Sequence, residues 1–337
     1  MKNKDYTKRN FQIEGLRGIT CILLVLWHVI YRYNQIYYAE SNFFSSLKMF
    51  SIIGEAGSIC FLIISIWFMI DSNRKLNEEK TVVSILYKKW MRLWRPYLLS
   101  ISITFGLSRF LALPGRSVDV TTYLINLSML EGFIPGINYV DGAHWYITTL
   151  LVIIFWVTVI EKIFKGNPFG YIFWLILSEN MEYIPYGLFL GNILQCNYVN
   201  IILLVIMLKK VYLNIIDKKP FRMEEKIEVI LLFINFVLIL FRHDIWYTLH
   251  IILVLTLIIC CMKNKIPIFE NKFLVSIGNI SYYLYLIHQN VSYMIQNLLV
   301  EWFGDYRIWY CIPAFCVVFL LAIFIKKFNE NVGKRYI

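Results

Sequence analysis

The chain has 337 residues, of which 59% are hydrophobic and only 16% charged, with a formal net charge of +11. Ordinary soluble domains are about 45–50% apolar and about 25% charged. The balance excludes a soluble globular enzyme, and an aromatic content of 17% excludes a disordered chain.

A helix needs roughly 20 apolar residues to cross a bilayer. In chain order, apolar runs predict spans near 13–31, 52–70, 96–113, 144–161, 168–179, 186–208, 227–241, 246–262, 274–299 and 309–325. The first is read as a retained helix, because no small-residue cleavage site follows it. Segment 121–134 is apolar in part but is interrupted by Glu131 and Gly132, with Pro135 and Gly136 just beyond. That pattern suits a re-entrant or interfacial piece.

Charge tests this order. With the N-terminus inside, 26 of the 33 lysines and arginines fall on the inner side. The outer segments hold only Arg32, Lys48, Arg109, Arg116, Arg242 and Arg307. The positive-inside rule therefore supports an even number of spans with both termini cytoplasmic. The expected fold class is all-α, a polytopic integral membrane protein of about ten transmembrane helices forming one domain over 1–337. The same bias explains the net charge without a nucleic-acid partner. Nearly all of the seven cysteines lie in apolar runs and none forms a CxxC pair. They read as buried thiols, and no metal site is expected.

Ionisable residues inside spans are costly and usually face a cavity or a partner. Arg17 and His28 are eleven residues apart, about 20° past three full helical turns, so they share one face of the first span. Glu14 stands one turn before Arg17 and is placed to pair with it. The alternative is that Arg17 snorkels to the interface and His28 caps a neighbouring carbonyl. After the second span, Lys89, Arg92 and Arg95 follow one another at helical spacing of three, a cluster suited to phosphates. Basic residues beside a span also set topology or touch anionic lipid. His144 and Trp145 open the fourth span, where a His–Trp pair is commonly an interfacial anchor. In the ninth span, Ser281, Tyr285 and His288 form one polar stripe. Gly278 and Ser281 there also permit close helix packing.

Together these pieces resemble the membrane acyltransferase-3 family. Arg17 and His28 match its signature of Arg, ten residues, His, within Glu-Gly-Leu-Arg-Gly-Ile. Phe61–Ile70 is similar to its Phe-Phe-x-x-Ser-Gly-aromatic segment. Lys89, Arg92, Pro96 and Tyr97 resemble its basic, Arg, Pro, Tyr element, and His144-Trp145-Tyr146 its outer His/Trp element. Gly278 through His288 matches Gly-x-Ile-Ser-Tyr-x-Leu-Tyr-Leu-x-His. Two positions depart: Ile66 stands where Gly usually follows Ser65, and Lys89 stands where Arg is common. A fused soluble esterase-like domain, carried by some members, is not expected.

The resemblance implies transfer of an acyl group, often acetyl, from cytoplasmic acyl-CoA to a hydroxyl of a surface or lipid-linked glycan. The protein would sit in a cell membrane, the bacterial plasma membrane by family habit. No permanently bound cofactor is expected, acetyl-CoA or another acyl-CoA being a co-substrate. His28 is the candidate general base, with Arg17 orienting the thioester. Lys89, Arg92 and Arg95 are candidates for CoA phosphates. Glu14, His144, Trp145, Ser281, Tyr285 and His288 are candidates for the substrate cavity. Direct transfer and an acyl-histidine intermediate both fit these residues. A transporter or flippase without acyl transfer is the rival reading, since intramembrane Arg and His also mark transport paths.

Overall fold

The computed structural model describes residues 10–47, 50–76, 81–181, 187–216 and 222–335. Of the expected inner basic residues, Lys2, Lys4, Lys8, Arg9, Lys80, Lys218 and Lys219 lie outside them, as does the outer Lys48. Among the described residues the fold is helical, with no strand.

The helices are α1 (Phe11–Leu26), α2 (Tyr33–Tyr37), α3 (Asn42–Leu47), α4 (Ser51–Leu76), α5 (Val82–Leu107), α6 (Val120–Asn126) and α7 (Trp145–Ile163). They continue with α8 (Pro168–Glu179), α9 (Gly187–Leu194), α10 (Val199–Ile216), α11 (Met223–Arg242), α12 (Ile245–Met262), α13 (Lys272–Phe303) and α14 (Cys311–Arg335). Among the described residues, five segments are long and apolar enough to cross a membrane: Phe11–Tyr37, Gly142–Ile163, Leu190–Ile216, Ile245–Met262 and Ile308–Asn331. Their length and apolarity are those of a membrane protein.

Two details differ from the sequence expectation. The sixth run is not one helix, because the backbone turns at Gln195 (φ +57°) between α9 and α10. Gln195 Nε2 donates to the Asn192 carbonyl there at 2.6 Å, satisfying a group that the break exposes. Ile66 is fully buried in the continuous α4. The thiols are not uniformly buried either: Cys21, Cys60 and Cys261 are, but Cys316 is exposed on α14.

The chain divides into two compact units. The first comprises Met1–Phe61, Leu99–Ser117 and Ile252–Ile337. Its centre is a parallel crossing of α1 on α13 and on the 3-10 turn before it, Pro267–Glu270, that three glycines make possible. A Cβ on Gly15 would lie 1.7 Å from the Phe269 carbonyl oxygen, and one on Gly18 2.0 Å from that of Leu274. One on Gly278 would lie 1.9 Å from the Glu14 carbonyl oxygen. No other residue lets the backbones touch in this way. Asn10 caps α1 by accepting from the Ile13 amide at 3.1 Å, and its Nδ2 ties the cap to the Cys261 carbonyl at 3.0 Å. Antiparallel to α13, α14 buries Ala314, Val318, Ala322 and Ile325, one stripe at helical spacing.

The second unit comprises Leu62–Leu98 and Val118–Ile251. Its α10 is buried on every side from Val199 to Met207, as expected of a helix that is apolar all round. Trp156 and Trp174 stack at 5.6 Å, and their indole N–H groups donate to the Ile193 and Leu194 carbonyls at the end of α9. Lys210 binds Glu161 at 3.3 Å, Glu228 at 3.4 Å and the Gly166 carbonyl at 2.7 Å, so one ammonium gathers three elements.

Candidate functional site

In the first unit, α1 ends at Leu26 and the chain continues as a π-helical turn, Trp27–Arg32, before α2. Such turns shift the phase of the side chains beyond them and recur at functional sites. His28 lies inside this turn, half-buried. Periodicity of apolar residues carried no sign of it.

The glycine crossing sets what His28 meets. His28 Nδ1 lies 3.0 Å from the Leu24 carbonyl and 3.1 Å from Nε2 of His288 on α13. The two imidazoles meet edge to face, with centroids 4.7 Å apart. His288 is fully buried, and its Nδ1 lies 2.7 Å from the Tyr285 carbonyl.

Carbonyls only accept, and that fixes the neutral tautomers. His288 donates from Nδ1 to Tyr285, so its Nε2 is an acceptor. His28 donates from Nδ1, sharing one proton between Leu24 and His288. The lone pair of His28 is therefore on Nε2, the nitrogen left for a reacting proton.

One level toward the N-terminal end, Arg17 donates from Nη2 to Ser281 Oγ at 3.1 Å and pairs with Glu14 at 3.4 Å. Ser281 in turn donates to the Gly278 carbonyl at 2.8 Å. Arg17 thus stands half-exposed on two supports. Tyr285 completes the wall, its ring 5.6 Å from that of His288 and 6.4 Å from that of Phe61. The first unit therefore gathers Glu14, Arg17, His28, Ser281, Tyr285 and His288.

The second unit holds the remaining candidates. On α5, Trp90 stacks on Trp94, which donates to the Leu127 carbonyl at 2.8 Å. This pins one face of the helix, while Arg92 and Arg95 stand exposed and Lys89 half-buried. Burial, and then the neighbouring Arg92 charge, lower the Lys89 ammonium to about 8. Pro96 lacks an N–H, so the Arg92 carbonyl one turn earlier loses its helical partner.

His144 is fully buried at the start of α7, its ring 4.9 Å from that of Tyr97. Trp145 stacks on Tyr198 at 5.8 Å. Tyr97 donates to Glu131 Oε1 at 2.8 Å, while Oε2 of Glu131 has no hydrogen-bond partner. Glu131 is 2% exposed, and burial pushes its carboxyl up to about 7. Sequence reading used Glu131 only as a break in an apolar segment. An acid inside an apolar run was itself the signal.

The acyltransferase-3 signature, an acyltransferase domain, matches residues 10–327. The chain belongs to the acyltransferase-3 family. The match runs unbroken through the residues of both units. No curated protein and no solved structure matches the chain.

Proposed function

We propose that this acyltransferase moves an acyl group, in the simplest case acetyl, from cytoplasmic acyl-CoA to a hydroxyl of a surface or lipid-linked glycan. The observation that carries the reading is the tautomer of the histidine pair, which leaves His28 Nε2 as a base within the membrane-spanning part.

In this reading the acceptor hydroxyl gives its proton to His28 Nε2 as its oxygen attacks the thioester carbonyl. The C–S bond then breaks, and the CoA thiolate takes the proton from His28. His288 holds the imidazole in orientation and accepts from the Nδ1 proton throughout. Arg17, fixed by Ser281 and Glu14, supplies positive charge for the developing oxyanion. Lys89, Arg92 and Arg95 bind CoA phosphates, which suits an ammonium and two guanidinium groups spaced along one helix. His144 and Trp145 serve the acceptor end.

We also infer ten spans, cytoplasmic termini and a single domain over 1–337 in a bacterial plasma membrane. The parallel course of α1 and α13 supports this topology, since alternation sends the first and ninth spans the same way. The charge bias supports it as well.

The test is binding of labelled acetyl-CoA to the purified protein and to Arg92→Ala. Saturable binding, weakened about tenfold or more by the substitution, is the expected result. No binding of acetyl-CoA or of longer acyl-CoAs would refute the donor assignment.

A further inference from the structure

Beyond the histidine pair, the first unit holds a second charged group with an unusual setting. Leu113–Arg116 is a tight turn, closed by the Arg116 amide donating to the Leu113 carbonyl at 3.2 Å. Pro114 and Gly115 (φ +69°) occupy its central positions, as a type II turn requires. The turn is tied down from two helices. Tyr37 donates to the Pro114 carbonyl at 3.3 Å, and Asn297 Nδ2 donates to the Ala112 carbonyl at 3.1 Å.

These ties deliver the Arg116 side chain to α13. Its Nε donates to Asn290 Oδ1 at 3.0 Å, and its guanidinium lies 5.5 Å from the centroid of the Tyr293 ring. Asn290 stands two residues beyond His288, a rise of about 3 Å along the helix. Among the described residues no carboxylate pairs with Arg116, and its two terminal nitrogens have no hydrogen-bond acceptor. The residue is partly exposed, so a ligand can reach it.

A guanidinium spends little to hold itself in place by Nε and by its face. What remains is the planar fork of terminal N–H groups, which matches two oxygens of a carboxylate or phosphate. Nearby, the partly exposed Tyr37 packs edge to face at 6.2 Å on the buried Tyr293, and its ring offers surface against which a sugar ring can lie.

We propose that Arg116 is the anion-recognising residue of the acceptor site, binding a carboxylate or phosphate carried by the glycan whose hydroxyl is acylated. This deepens the acyl-transfer reading and rests on it. Arg116 selects a charged sugar and sets its hydroxyl toward His28; it is a specificity residue and takes no proton itself.

The experiment uses the full chain in nanodiscs of zwitterionic lipid. The probes are methyl β-glucoside, methyl β-glucuronide and methyl β-glucoside 6-phosphate. Binding is followed by ligand-detected NMR without acyl-CoA, and transfer is followed separately with labelled acetyl-CoA. Wild type should bind both charged probes at least about tenfold more tightly than the neutral one. Arg116→Gln should erase that preference while leaving affinity for the neutral sugar unchanged, and Arg116→Lys should restore part of it. Retained thermal melting of both variants separates this from misfolding.

Equal binding of the three probes by wild type overturns the proposal, as does a preference that survives in Arg116→Gln. Displacement of the charged probes by anionic lipid added to the nanodiscs would assign the fork to a lipid headgroup and overturn it too. A fall in turnover for neutral and charged probes alike, at unchanged KM, would place Arg116 on the reacting carbonyl instead. Because binding is read without acyl-CoA, absence of any acetyl transfer counts against the acyl-transfer reading alone.

Discussion

The two units hold their polar groups by opposite means. In the first, the backbone of α1 touches α13 through Gly18 and Gly278 and the turn before α13 through Gly15, and side chains then meet with no slack. In the second, a long flexible side chain does the gathering: Lys210 reaches two carboxylates and a carbonyl from separate elements. The first arrangement fixes atoms sharply and suits chemistry. The second tolerates adjustment and suits cohesion. One is sensitive to an added methyl group, the other to a lost charge.

The largest effect should come from His28→Ala. It removes the base and should lower acyl transfer by about a thousandfold, within the usual range for general acid–base groups. Membrane insertion and thermal melting should stay near wild type, because the side chain is only half-buried. Transfer at a tenth of the wild-type rate or better would break the contrast between a chemical unit and a cohesive one.

Next comes Gly278→Ala. Its Cβ would fall 1.9 Å from the Glu14 carbonyl oxygen, so the helices must part. Overpacking of this kind costs about 3 kcal/mol, and melting temperature and activity should drop together. A variant that melts like wild type would show that the crossing has slack after all.

Glu131→Gln sharpens the comparison from the other unit. Burial raises the folded carboxyl to about 7, well above the ordinary carboxylate range. The folded state therefore binds the proton more tightly, and the stability this contributes is lost as pH rises through 7. Wild type should be less stable at pH 8 than at pH 5 by up to about 3 kcal/mol, and Glu131→Gln should flatten that difference. Parallel melting curves for the two proteins would contradict it.

The smallest effect concerns Lys89. With its ammonium held near 8, it loses its proton as pH rises from 7 to 9, where an ordinary lysine would not. The kcat/KM for acyl-CoA should fall by up to about tenfold across that window. In Lys89→Arg, which stays charged, the profile should be flat.

How much of this was legible depended on whether the relevant residues share one helix. Arg17, Glu14 and Ser281 stood out because charge inside an apolar run is costly and the spacing of each motif is local. Gly278 was legible as a packing residue for the same reason. The meeting of His28 and His288 was not, because 260 residues separate them and only the glycine crossing joins them. Nor was the π-turn at Trp27–Arg32, which changes phase without changing composition. The Tyr97–Glu131–His144 group comes from three segments, none remarkable alone. The break at Gln195 was missed because apolar residues flank it on both sides and hide the turn.

The tautomers of the histidine pair have one more consequence. A chain of titratable groups across a membrane threatens to conduct, draining the ion gradient the cell maintains. Here the relay is short: the Nδ1 proton of His288 is held by the Tyr285 carbonyl, which cannot pass it on. A proton captured at His28 Nε2 can release the Nδ1 proton to His288 Nε2, one hop along their hydrogen bond, before the substrates take a proton back. Along this path the pair ends at a backbone carbonyl, which limits how far a proton can run from the reacting centre.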